Sequence, residues 1–192
     1  MNALKLRVIT ESLDNVHLIR ILLAHELSPG MKFYASRGGV SPVTVGRNIL
    51  VHEGGPVLIA VDSHTLDLEH QSEIEATASA AIGGLFHSAD NFAMKSLFGV
   101  FTFLPSAEVV FFEAPDAMRR VLGKEIDERT IEEGKARPRQ TLQTLFGVKE
   151  DFWFSTLLLK IDEPAIDLLR QGEQATRLRE MALGLLPVAA AT

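Results

Sequence analysis

The sequence contains no cysteine, which excludes disulfides and thiolate metal sites and makes a reducing compartment, the cytoplasm, the expected location. It has no apolar run near the roughly 18 residues that a bilayer span requires. Its opening, MNALKLRVITES, carries Lys5, Arg7 and Glu11 where a secretory signal would be apolar. A membrane partner is therefore not expected. Several catalytic signatures are also missing. There is no GxxxxGK[ST] loop, no GxGxxG after the first strand, no GxSxG elbow and no HExxH pair among the six histidines, so P-loop, dinucleotide, nucleophile-elbow and zincin chemistries lack support. Basic charge is scarce as well: 19 Lys and Arg against 25 Asp and Glu, a net charge of −6. That argues against non-specific coating of nucleic acid. A local strip such as Arg119, Arg120 and Lys124 could still meet a phosphate backbone.

What is present suits a globular core. Of 192 residues, 46% are hydrophobic, enough for one good core with a small accessory lobe. LKLRVIT (4–10) alternates apolar and polar side chains and predicts a strand. ESLDN follows, with Ser12, Asp14 or Asn15 as candidate cap, and Val16, Ile19, Leu22, Leu23 and Leu27 recur at helical spacing. MKFYASRGG (31–39) predicts a second strand and Ser41-Pro42 opens a helix to about Val51. SRGGVS could also offer backbone N–H groups and Arg37 to an anion. PVLIAVD (56–62) is a continuous apolar strand of the parallel type, a helix follows over 69–86, and SLFGVFTFLP (96–105) gives a fourth strand. The expectation is an α/β fold, βαβαβ with right-handed crossovers. It divides into a core at 1–105 and a helical extension at 106–192 packed upon it.

The helical half is read as 106–122 interrupted at Pro115, then 126–135, 138–146, 151–160 and one helix over 163–184. DFWFSTLLL places the lone Trp153 with Leu157 and Leu158 on one apolar stripe, the anchor of the helices on the sheet. The same stripe is a candidate groove for a protein partner.

Chemistry concentrates at strand ends, where open α/β folds bind ligands. Glu11 follows the first strand and Asp62 the third. Ser63, His64, Thr65 and Asp67 come directly after, in LIAVDSHTLD. Adjacent parallel strands lie about 4.8 Å apart, so acids at their shared ends can serve one hard cation together with water and substrate phosphate. Phosphoryl transfer is the chemistry implied.

RVITESLDN and LIAVDSHT resemble the motifs of the Toprim domain, which is shared by topoisomerases, primases and OLD-type nucleases. The first looks like that family's strand-ending Glu and the second like its Asp-x-Asp; the resemblance spans about residues 4–104. It implies a mostly parallel, helix-flanked Toprim-like sheet and a metal-dependent nuclease acting on DNA or RNA. Mg²⁺ or Mn²⁺ would be held by Glu11, Asp62, His64 and Asp67, with Glu11 and Asp62 catalytic. The chain departs from the pattern at Ser12, where the family has Gly, and at His64, where it has the second Asp. Imidazole is a poor Mg²⁺ ligand and suits Mn²⁺ better. The alternative is an eroded Toprim-like module that acts in protein–protein assembly or regulation.

Overall fold

The computed structural model describes residues 5–27, 31–36, 39–84, 97–147 and 153–186. Four strands, β1 (Leu6–Thr10), β2 (Met31–Ala35), β3 (Val57–Asp62) and β4 (Phe98–Phe103), form one sheet in the order β2-β1-β3-β4. Every neighbouring pair is parallel, with Thr10 opposite Ala35 and Ala60, and Asp62 opposite Phe103. All four chains therefore leave the sheet at one edge.

Parallel strands covered on both faces need near-continuous apolar runs, and β3 is buried from Val57 to Val61. Alternate side chains serve opposite layers. Ile9, Val57, Ile59 and Val61 pack with Ile49 and Leu50 of α2 (Pro42–His52) and Ile82 of α3 (Leu68–Gly83). Leu6, Val8, Leu58, Ala60, Phe101 and Phe103 meet α1 (Leu13–Leu27) and the helical half on the other face. The cap of α1 is Ser12, whose Oγ accepts from Asn15 N at 3.0 Å.

The helical half begins with a 3₁₀ turn (Ala107–Val109) leading into α4 (Val110–Glu113). It continues with α5 (Pro115–Leu122), α6 (Glu128–Ala136), α7 (Pro138–Phe146), α8 (Trp153–Leu159), α9 (Glu163–Leu169) and α10 (Glu173–Leu185). The helix expected over 163–184 is two helices: α9 ends at Leu169 and α10 starts after Gly172. Periodicity alone hid the break, because Leu169 and Leu178 both face the core across it. Phe154 and Leu157 of α8 are buried in the same cluster, with Leu158 at its edge. The Trp153 side chain, Arg37 of the expected anion loop and the C-terminal tail lie outside the described residues. Among the described residues, no helix is long and apolar enough to cross a membrane.

Candidate functional site

β1 and β3 are hydrogen-bonded neighbours, so the chain leaves both at the same edge and carries Glu11 and Asp62 to one place. Asp62 is the centre. Its Oδ1 accepts the Ala107 N–H at 2.9 Å and its Oδ2 accepts the Asn15 amide at 3.3 Å. One contact comes from the turn after β4, the other from the first turn of α1. Two hydrogen bonds would ordinarily hold a carboxyl low. Burial outweighs them, and with the charges of Glu108 and then Glu11 it pushes Asp62 up to about 7.

Glu108 was absent from the sequence reading. It is 7% exposed and its Oε2 is buried without a hydrogen-bond partner, a costly arrangement for a carboxylate. The available sequence signal was weak: an acid three residues after Pro105, at the end of the fourth strand. Asn15, buried at 5% exposure, was read only as a possible cap.

His64 follows β3 and adopts φ 56, the left-handed region that few non-glycine residues occupy, His among the more tolerant. Its backbone is fixed: the His64 N–H donates to Pro105 O at 2.8 Å, and Ser63 N–H donates to Phe103 O at 2.9 Å. The ring is 73% exposed and its Nε2 lies 4.0 Å from Glu11 Oε2. Asp67 caps α3, accepting from Glu69 N at 2.9 Å. Thus Glu11, Asp62 and His64 gather at one edge, joined by Glu108, while Asp67 holds the start of the next helix.

No three His, Asp or Glu side chains among the described residues come close enough together to ligate one ion directly. Glu108 and Glu11 nevertheless each act by their charge on Asp62, and Glu108 keeps an unpaired buried carboxylate oxygen. That chemistry fits a hard cation such as Mg²⁺, which keeps several waters and needs only one or two carboxylates.

The expected basic strip is largely spent on internal pairs. Arg119 meets Asp116 and Glu125, and Arg120 meets Asp162 at 2.6 Å. A cavity of about 790 Å³ opens between Leu66, Leu68, Leu104 and the helical half, and none of the four site residues Glu11, Asp62, His64 and Glu108 lines it; its charges are mixed, with Arg119, Lys135 and Arg177 against Glu113, Glu128, Glu132 and Glu173.

No family model matches the sequence, and neither does any curated protein. Among solved structures, the C-terminal region of the Burkholderia pseudomallei OLD protein is similar in fold. The two share 11% sequence identity over 93% of this chain and 98% of that one, with a TM-score of 0.50. Such identity speaks to the fold alone. The four-stranded parallel sheet flanked by helices is the α/β arrangement expected.

Proposed function

We propose that the protein is a Toprim-like, metal-dependent phosphoryl-transfer enzyme, a nuclease acting on DNA or RNA. The observation that carries this reading is the buried acid cluster at the C-terminal edge of the sheet. There burial, with the charges of Glu108 and then Glu11, raises Asp62 to about 7, and the Oε2 of Glu108 is left without a partner. Strongly perturbed acids at a strand edge are a frequent mark of function. The likeness to the OLD protein region agrees with it.

In this reading Asp62 and Glu108 hold Mg²⁺ or Mn²⁺, partly through water, with Glu11 completing the set. A cation so held would neutralise the scissile phosphate and lower the barrier to attack on phosphorus. Asn15 and the Ala107 N–H orient the Asp62 carboxylate. In the same reading Glu11, the more exposed acid at 35%, with the His64 Nε2 4.0 Å away, would take or give a proton at the reacting oxygen.

The second reading, an eroded module for assembly or regulation with a protein partner at the helical half, is favoured by His64 in place of the second Asp. The absence of a direct three-ligand cluster among the described residues also favours it. One experiment separates the two. Calorimetric titration with Mn²⁺ and Mg²⁺ is run on wild type, Asp62→Asn and Glu108→Gln, alongside cleavage assays on labelled DNA and RNA oligonucleotides. Cation binding and cleavage in the wild type, lost in both variants, support the nuclease. No binding and no cleavage in any of the proteins leave the module.

A further inference from the structure

Gln174, the second residue of α10, lies 6% exposed and reaches across to the end of β4. Its Oε1 accepts the Leu104 N–H at 2.7 Å and its Nε2 donates to Leu104 O at 2.8 Å. The side-chain amide thus satisfies both main-chain groups of one residue, as a neighbouring strand would. Its own N–H donates to Glu113 Oε2 at 2.9 Å. One residue therefore holds both ends of the segment 104–113, from 70 and 61 positions away in sequence.

That segment carries two groups of the candidate site, the Ala107 N–H on Asp62 and the unpaired Glu108. Neither belongs to a sheet strand. Glu113 is in turn fitted to its place, since a side chain at Gly172 would meet its Oε2 at 3.0 Å and its Cβ at 3.2 Å. We infer that Gln174 is a positioning residue of the acid site, a clamp through which the helical half sets where Ala107 and Glu108 stand relative to Asp62. The clamp acts on the site through the backbone of 104–113 and makes no contact with a substrate. Its consequence for cation binding rests on the reading of the cluster as a cation site; its consequence for the backbone does not.

The test compares wild type, Gln174→Leu, Gln174→Glu and Arg170→Met. Arg170, just after α9, ties that helix to α1 by donating to Leu22 O and Ile21 O, so its loss removes part-buried hydrogen bonds like those of Gln174 without touching the clamp. Two readouts are taken on each protein: the amide hydrogen exchange of Ala107 relative to that of β3, and Mn²⁺ affinity by calorimetry. Gln174→Leu should speed Ala107 exchange at least tenfold relative to β3 and weaken Mn²⁺ binding at least tenfold. Gln174→Glu keeps the acceptor for Leu104 N–H and should fall between, and Arg170→Met should alter neither ratio. Equal Ala107 protection in wild type and Gln174→Leu overturns the clamp. So does a loss of Mn²⁺ affinity that Arg170→Met reproduces. A wild type that binds no Mn²⁺ fails the cation reading alone, and the exchange ratios then decide the clamp.

Discussion

The main-chain N–H of Ala107 donates to Asp62 Oδ1 at 2.9 Å, joining the turn after β4 to the end of β3. The bond belongs to the charged acid, yet burial and two neighbouring acids favour the neutral one. The carboxyl is therefore held between two states near neutral pH.

The first prediction follows from that balance. Asp62 titrates near 7 in the folded chain against its ordinary 3.8, so between these values the folded state holds the proton more tightly. Stability from this group is present below about pH 4 and is lost as pH rises through about 7. Asp62→Asn should remove the loss. Its melting temperature relative to wild type should climb from pH 4 to pH 8, with a linkage of roughly 4 kcal/mol at most. A constant difference across that range in thermal melts would sink the buried-acid description.

Gly134 sits in α6 where an added Cβ would collide with the Phe112 ring. Ala is the better helix former by about 1 kcal/mol, but overpacking costs typically about 1–3 kcal/mol or more. Gly134→Ala should therefore destabilise in urea melts. Gly184→Ala in α10, with nothing within 4 Å, should stabilise by about 0.5–1 kcal/mol. Like-signed changes would contradict the close packing of α6 on α4.

Phe154 of α8 is 2% exposed and packs edge-on to Phe111, with ring centroids 6.3 Å apart. Phe154→Ala should cost about 3–5 kcal/mol. A wild-type denaturation midpoint for this variant would mean that α8 is not an anchor of the helical half.

Much of this architecture was legible because the strands are read by composition. VLIAV can hardly be anything but a doubly covered strand, and Ser41-Pro42 marks a helix start, whereas Asp67, expected as a metal ligand, caps α3. Glu11 and Asp62 were legible as a pair because sequential βαβ units bring successive strand ends to one edge. Glu108 was not, since its significance is its burial beside Asp62 across 46 positions, and a single acid in SAEVVFFE carries no periodic signal. Gln174 was equally silent: a polar residue inside the helix expected over 163–184 reads as part of its solvent face until Leu104 is seen across from it. The break between α9 and α10 failed for the same reason, because both helices point one apolar stripe at one core.

His64 carries the last prediction. Its left-handed backbone is one that Asp also tolerates, so His64→Asp should keep the turn while exchanging an exposed imidazole, whose Nε2 lies 4.0 Å from Glu11, for a shorter carboxylate on the same side of the site. Without metal the added charge repels Glu11, Asp62 and Glu108, and the variant should melt below wild type at pH 8. With metal the sign reverses, because a hard oxygen donor replaces a nitrogen. Mg²⁺ affinity should rise at least tenfold, the preference for Mn²⁺ over Mg²⁺ should shrink, and any cleavage of DNA or RNA should increase. Calorimetry of wild type, His64→Asp and His64→Ala with each cation checks this. Identical isotherms in all three proteins would mean that no cation feels position 64, and would shift the balance toward a module that binds a protein partner.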